Sequence, residues 1–218
     1  MKDKLHDFGA HAIQVTWSKT RCTHAAACVT GLPHVFQPGT RPWIKLDQAQ
    51  ADHVAQVVMR CPTGALHFTR TDGGAEEPTP NANSVLISRN GPLYLRGDLE
   101  LCAEDGSILL RDTRIALCRC GKSANKPLCD NAHLGAAFRD AGEVKDQDGV
   151  ADPGASSTKL RIIAHTNGPL ELDGPQALAS ADGATILAGT SVWLCRCGQS
   201  STKPFCDGSH ETNGFEAP

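Results

Sequence analysis

Displaced by 77 residues, the chain lies on itself. NGPL at 90–93 falls on NGPL at 167–170, and about half of the forty-odd positions that follow are identical without a gap. Cys118, Cys120, Cys129 and His133 land on Cys195, Cys197, Cys206 and His210, and Phe138 lands on Phe215. The chain therefore holds two copies of one small unit, each with three thiols and one imidazole in the same register. Cys102 lands on Ala179. A ligand recurs in both copies, so Cys102 is read as a packing thiol.

Ten cysteines without the apolar h-region of an export signal argue against a disulfide framework and for metal ligation in a reducing compartment. Cys118 with Cys120, and Cys195 with Cys197, stand one residue apart. That is too tight for an easy disulfide and suits two thiolates on one metal centre. Only 5% of residues are aromatic, against 21 glycines and 13 prolines. Large apolar cores are not expected, and small ones need a staple, for which metal is the candidate. The net charge of -3 comes with no basic stripe, which speaks against nucleic acid. No run of about 18 apolar residues occurs, so no membrane span is expected. The sequence reads as that of a cytoplasmic protein.

Each copy opens with short β-branched or alternating runs, VLIS then LYL in the first and LRIIA then LEL in the second, broken by NG-P and D-G turns. SILLRD and ATILAG supply a further strand before each Cys-x-Cys. Residues 71–83 and 141–157 have linker composition. Three domains are expected, 1–72, 84–140 and 158–218, in an α+β chain.

The repeated segments are CRCGKSANKPLCDNAH (118–133) and CRCGQSSTKPFCDGSH (195–210). The last Cys and the His, four residues apart, share a face if that segment is helical. Asp130 and Asp207 are placed to cap it, and Asn131 and Gly208 tolerate the positive φ of a sharp turn. From spacing alone a Cys3His zinc site is the even rival. Cys-x-Cys on one iron and Cys-x3-His on another tilts the reading toward a two-iron cluster.

These residues resemble the CDGSH iron-sulfur (NEET-type) family, whose pattern is C-x-C-x2-S/T-x3-P-x-C-D-G-S/T/A-H. The second copy matches throughout; the first departs at Asn131 and keeps Ser123, Pro127 and every ligand. The resemblance covers roughly 84 to 218 and implies one [2Fe-2S] cluster on Cys118, Cys120, Cys129 and His133, and another on Cys195, Cys197, Cys206 and His210. It also implies that the two copies pack as an intramolecular pseudo-dimer, making the protein a monomer. Ser123 and Ser200 either donate to sulfur or close the loop. Lys126 and Lys203, with Arg119 and Arg196, either approach the anionic cofactor or form a solvated basic rim.

Residues 12 to 70 read as strand, cluster loop, short helix, strand, helix, strand, from IQVTW through RCTHAAACVTGLPHVF, WIKL and LDQAQADHVAQVVM to CPTGALHF. Cys22, Cys28 and Cys61-Pro62 resemble a divergent mono-cluster ferredoxin-like domain, with Ala25 where bacterial ferredoxins carry their middle cysteine. Three thiolates imply a [3Fe-4S] cluster, or a [4Fe-4S] cluster whose fourth iron takes another ligand. His24 is the nearest candidate; His34, His53 and His67 read as structural or surface residues.

No G-x-G-x-x-G, P-loop or G-x-S-x-G element is present, so the chain is not read as an enzyme. The leading expectation is an electron-transfer protein working with redox partner proteins. The alternative is a cluster donor, store or redox sensor serving apo iron-sulfur acceptors, and a zinc-held interaction module is the third class.

Overall fold

The computed structural model describes residues 4–144, 158–184 and 186–218. The chain divides into two compact units, Met1–Pro78 and Thr79–Pro218.

In the first unit, β1 (Leu5–Ala10), β2 (Ile13–Ser18) and β3 (Leu66–Arg70) form an antiparallel sheet in the order β1-β2-β3. Alternation in β2 sends Ile13 and Val15 inward and Gln14 outward. Two helices complete the unit, α1 (Ala27–Gly31) and α2 (Ala51–Val58). α2 buries Val54, Ala55, Val57 and Val58 in a core with Phe36, Ile44, Leu46, Leu66 and Phe68. The structure adds β1, which the sequence reading lacked, and reduces WIKL to a single bridge between Phe36 and Ile44. The expected helix over 46–59 is confined to 51–58, because Gln50 is extended and cuts off a short 3-10 turn at Leu46–Gln48. Glu77 closes the unit: its carboxylate accepts the Phe68 N–H at 3.2 Å and lies 3.0 Å from His67 Nδ1.

The second unit contains both copies in one six-stranded sheet: β4 (Ser84–Ile87), β5 (Leu93–Ala103) and β6 (Ile108–Leu117), then β7 (Leu160–Ala164), β8 (Leu170–Ala179) and β9 (Ile186–Leu194). β5 pairs antiparallel with β4 at Leu93–Arg96 and parallel with β7 at Leu99–Ala103. β8 mirrors this, pairing with β7 at Leu170–Asp173 and with β4 at Ala177–Ala179. The two first strands thus lie end to end in one slot between β5 and β8, with β6 and β9 outside. Exchanging the copies maps the pairing pattern onto itself.

Register shifts between Arg96 and Leu99, and between Asp173 and Gln176, make room where β4 and β7 meet. A Cβ on Gly97, at φ 153, would fall 2.0 Å from Asn83 Oδ1. Asn83, 5% exposed, secures this seam: its amide donates to the Thr158 and Pro175 carbonyls at 2.8 and 2.9 Å, and its oxygen accepts the Asp98 N–H. One core of Val, Ile and Leu side chains from all six strands runs beneath the sheet. Of the expected linker at 141–157, residues 145–157 lie outside the described residues. Before them the Gly142 carbonyl accepts the Ala181 N–H and Val144 is buried in the core. Among the described residues no helix is long and apolar enough to cross a membrane.

Candidate metal centres

Each repeated loop hangs from the end of an outer strand. Cys118 N–H donates to Pro127 O at 2.8 Å and Cys129 N–H to Ala116 O at 2.9 Å; Cys195 to Pro204 and Cys206 to Trp193 repeat both bonds at the same lengths. The Ser123 hydroxyl donates to Leu128 O at 2.7 Å and accepts the Asn125 N–H at 3.0 Å, and Ser200 does the same with Phe205 and Thr202. Of the two roles open to these serines, their hydroxyls take the loop-closing one. Their main-chain N–H groups face sulfur instead, that of Ser123 toward Cys118 and that of Ser200 toward Cys195.

Cys129 and His133 do not share a helical face, since α3 (Ala132–Gly135) starts after the cysteine. A turn brings them together, with Asn131 at φ 71 and its counterpart Gly208 at φ 84. Asp130 accepts the N–H groups of Ala124 and Ala132, tying the turn to the loop. Asp207 accepts from Ser201 and Ser209 through both N–H and hydroxyl groups, and these bonds, that from the Ser209 hydroxyl foremost, hold its carboxyl well below the usual range.

The ligand atoms meet in pairs. Cys118 Sγ and Cys120 Sγ are 3.8 Å apart, and Cys195 Sγ and Cys197 Sγ are 3.7 Å apart. Cys129 Sγ lies 3.6 Å from His133 Nδ1, and Cys206 Sγ 3.4 Å from His210 Nδ1. Two sulfurs bound at about 2.3 Å to one tetrahedral metal are about 3.8 Å apart, and a sulfur and an imidazole nitrogen about 3.6 Å. Each pair is therefore spaced to share one metal ion. Among the described residues, no three His, Cys, Asp or Glu side chains gather as a group that could hold a single ion. Each loop thus presents two donor pairs with metal-ligand spacing, Cys-x-Cys and Cys-x3-His.

Without metal, the Cys120 thiol donates toward Cys118 and lowers its pKa, while Cys120 itself is raised. Burial pushes Cys129 and Cys195 up to about 11 and pulls His133 down. A cation is what relieves this cost, by holding the thiolates ionised and the imidazole neutral.

Arg119 and Arg196 form no rim, since each is 1% exposed. Arg119 donates to the carbonyls of Gly91 and Ser88 and pairs with Asp140; Arg196 donates to Gly168, His165 and the main-chain oxygen of Pro218. They fasten the Cys-x-Cys loop to the turn before β5 or β8 and to the segment after the histidine. Phe138 and Phe215 cover their guanidinium groups at 5.1 and 5.3 Å. Lys126 of the first copy reaches the second, its Nζ 5.9 Å from the Phe215 ring, whereas Lys203 donates to its own loop at Ser200 O. Buried Cys102 lies apart from every ligand set, with Arg161 3.9 Å from its sulfur.

In the first unit, Cys22, Cys28 and Cys61 line one cavity of about 660 Å³, with Ala25 and the exposed His24 on its wall. Burial raises the pKa of Cys28, and charge at Cys61 and Cys22 raises it further. Three thiolates that repel one another around a cavity fit a multi-iron cation. Buried Arg21 joins the two halves of the site, donating to Thr63 O at 2.8 Å across from the Cys22 loop to the Cys61 loop. His34 and His53 are exposed and do not line the cavity. The sequence reading missed Arg21, and its only signal was a position beside the first cysteine.

The family described as a divergent 4Fe-4S mono-cluster matches residues 9–71, and the family described as an iron-binding zinc finger of CDGSH type matches 90–134 and 167–211. The chain is also 34% identical over 56 residues to the uncharacterized protein YjdI of Escherichia coli strain K12 and, equally, to YjdI of Escherichia coli O157:H7. Those alignments cover 26% of this chain and 74% of each relative. No solved structure matches it. With the ligand pairs in both repeats and three thiols around the first unit's cavity, these matches show that the chain belongs to the iron-sulfur proteins of CDGSH type, carrying two CDGSH domains behind a divergent 4Fe-4S mono-cluster domain.

Proposed function

We propose that this protein transfers electrons between partner proteins and is not itself an enzyme. It would do so with two [2Fe-2S] clusters, each on three Cys and one His, and one [3Fe-4S] or [4Fe-4S] cluster on Cys22, Cys28 and Cys61 in a ferredoxin-like unit. The observation that carries the reading is the pairing of ligand atoms at 3.8 and 3.6 Å in one loop and 3.7 and 3.4 Å in the other. Two ligands per metal is what a two-iron core requires, whereas a single zinc ion draws all four together. The exchange symmetry of the sheet supports an internal pseudo-dimer, and hence a monomer.

Iron, zinc and acid-labile sulfide analysis with EPR on anaerobically purified protein tests this. Two reduced two-iron signals beside a third centre are expected; zinc without sulfide would overturn it. A second reading, cluster donation, is favoured by one feature: Cys206 and His210 are only half-buried. Timed transfer to an apo-ferredoxin separates the two. A carrier keeps its clusters while it cycles, and a donor loses them at neutral pH.

A further inference from the structure

The two repeated loops touch through their main chains at the ligands themselves. A Cβ built on Gly121 would fall 2.4 Å from the carbonyl oxygen of Cys197 and 3.3 Å from its Cα. A Cβ on Gly198 would fall 2.8 Å from the Cys120 carbonyl oxygen and 3.0 Å from its Cα. Both glycines have positive φ, 74 and 82. No other residue type allows so close an approach. Cys120 and Cys197 are 8% and 7% exposed, so little of either is open to solvent. Lys126 beside Phe215 bridges the copies a second time at the same face.

We propose that this contact is an electron-exchange junction, in which Cys120 and Cys197 couple the two repeated centres so that they share electrons instead of acting as independent carriers. The inference rests on the reading of each loop as a two-iron site. The step is one electron: iron held by the first loop goes from Fe(II) to Fe(III) as iron held by the second goes from Fe(III) to Fe(II). No bond forms or breaks, no proton moves, and no outside oxidant is needed. Gly121 and Gly198 are positioning residues, because they act only by letting the two cysteines' main chains meet. The repeat gives this contact its form, since each glycine meets the other copy's cysteine.

The test uses the full chain with all centres loaded. Iron, sulfide and spin counts come first, and a count short of two two-iron centres refutes the functional reading, and the junction with it. With the count met, EPR of half-reduced and fully reduced protein is compared. The junction predicts a split, faster-relaxing signal in the fully reduced state; a spectrum that is the plain sum of two isolated centres overturns it. Gly198→Ala should lose the splitting while iron content holds. Gly106→Ala is the control, because Gly106 has φ +83 and nothing within 4 Å of its Cβ, so it carries the strain without the clash. Splitting that survives in Gly198→Ala, or is lost equally in Gly106→Ala, removes the glycine contact as its cause. If Gly198→Ala fails to retain iron, the unsubstituted protein's spectrum decides.

Discussion

The two repeated loops carry the same three cysteines and one histidine but shield them differently. In the first, Cys129 and His133 are 4% and 8% exposed, and Arg119 is neutralised by Asp140. In the second, Cys206 and His210 are half-buried, and Arg196 reaches the Pro218 oxygen where the first copy has the Asp140 side chain. Leu134 after the first histidine is replaced by Glu211 after the second, and both are exposed. Loop closure, glycine contacts and ligand spacing are common to both copies, so the site itself dictates them. The shield is where the copies part, and it governs access by solvent and partners, not ligation.

The sharpest way to break this comparison is at the arginines. Arg119→Met leaves Asp140, 12% exposed, without its cation. That should cost about 3–5 kcal/mol, while Arg196→Met, which removes hydrogen bonds to the oxygens of Gly168, His165 and Pro218, should cost about 1–3 kcal/mol. Thermal unfolding of both variants measures the gap, and equal losses would mean that Asp140 is no true point of difference.

Next come the matched core positions Leu101 and Leu178, one in each half of the shared sheet and both buried. Truncation of either to Ala should destabilise by about 2–5 kcal/mol, and by similar amounts, because their surroundings are related by exchange of the copies. Clearly unequal denaturation midpoints would show that the symmetry of pairing does not extend to the packing.

A third measurement follows release into an iron chelator by EPR. The half-buried second centre should empty before the first, and reversal of that order would refute the link from shielding to lability. His210→Cys adds a thiolate charge where a neutral imidazole stood, so it should lower the potential of that centre and slow its release. A potential that stays fixed with the cluster intact would remove His210 from the ligand set. The smallest effect is expected from Cys102→Ala, about 1 kcal/mol of stability with iron content unchanged. Loss of a cluster there would make Cys102 a ligand after all.

The side chains that meet in the repeated loops were legible because fixed spacing is a local property. Cys-x-Cys, Cys-x3-His and the turn residues Asn131 and Gly208 announce a site without any knowledge of the fold. β1 was not legible, since LHDFGA is an edge strand that is half exposed and mixes charge with glycine. The shared slot was hidden for a different reason. The run VLIS reads the same whether it pairs with its own copy alone or with both, and partner choice is long-range. Likewise the sequence left Arg119 and Arg196 open between the cofactor and a solvated rim, because nothing local tells that carbonyls some thirty residues earlier await them. The contact at Gly121 and Gly198 could be read only once the two loops had been placed face to face.

The end-to-end placement of β4 and β7 also bears on the order of events at the ribosome. β5 cannot fill its edge until β7 has been made, and β4 lacks its second neighbour until β8 follows. At about 5–20 residues per second, the 77 residues between equivalent points take roughly 4–15 s to emerge. For that interval the first copy is a nascent ribbon with an open edge, half of a sheet waiting for its other half. The first copy's half of the sheet is therefore completed only by translation of the second.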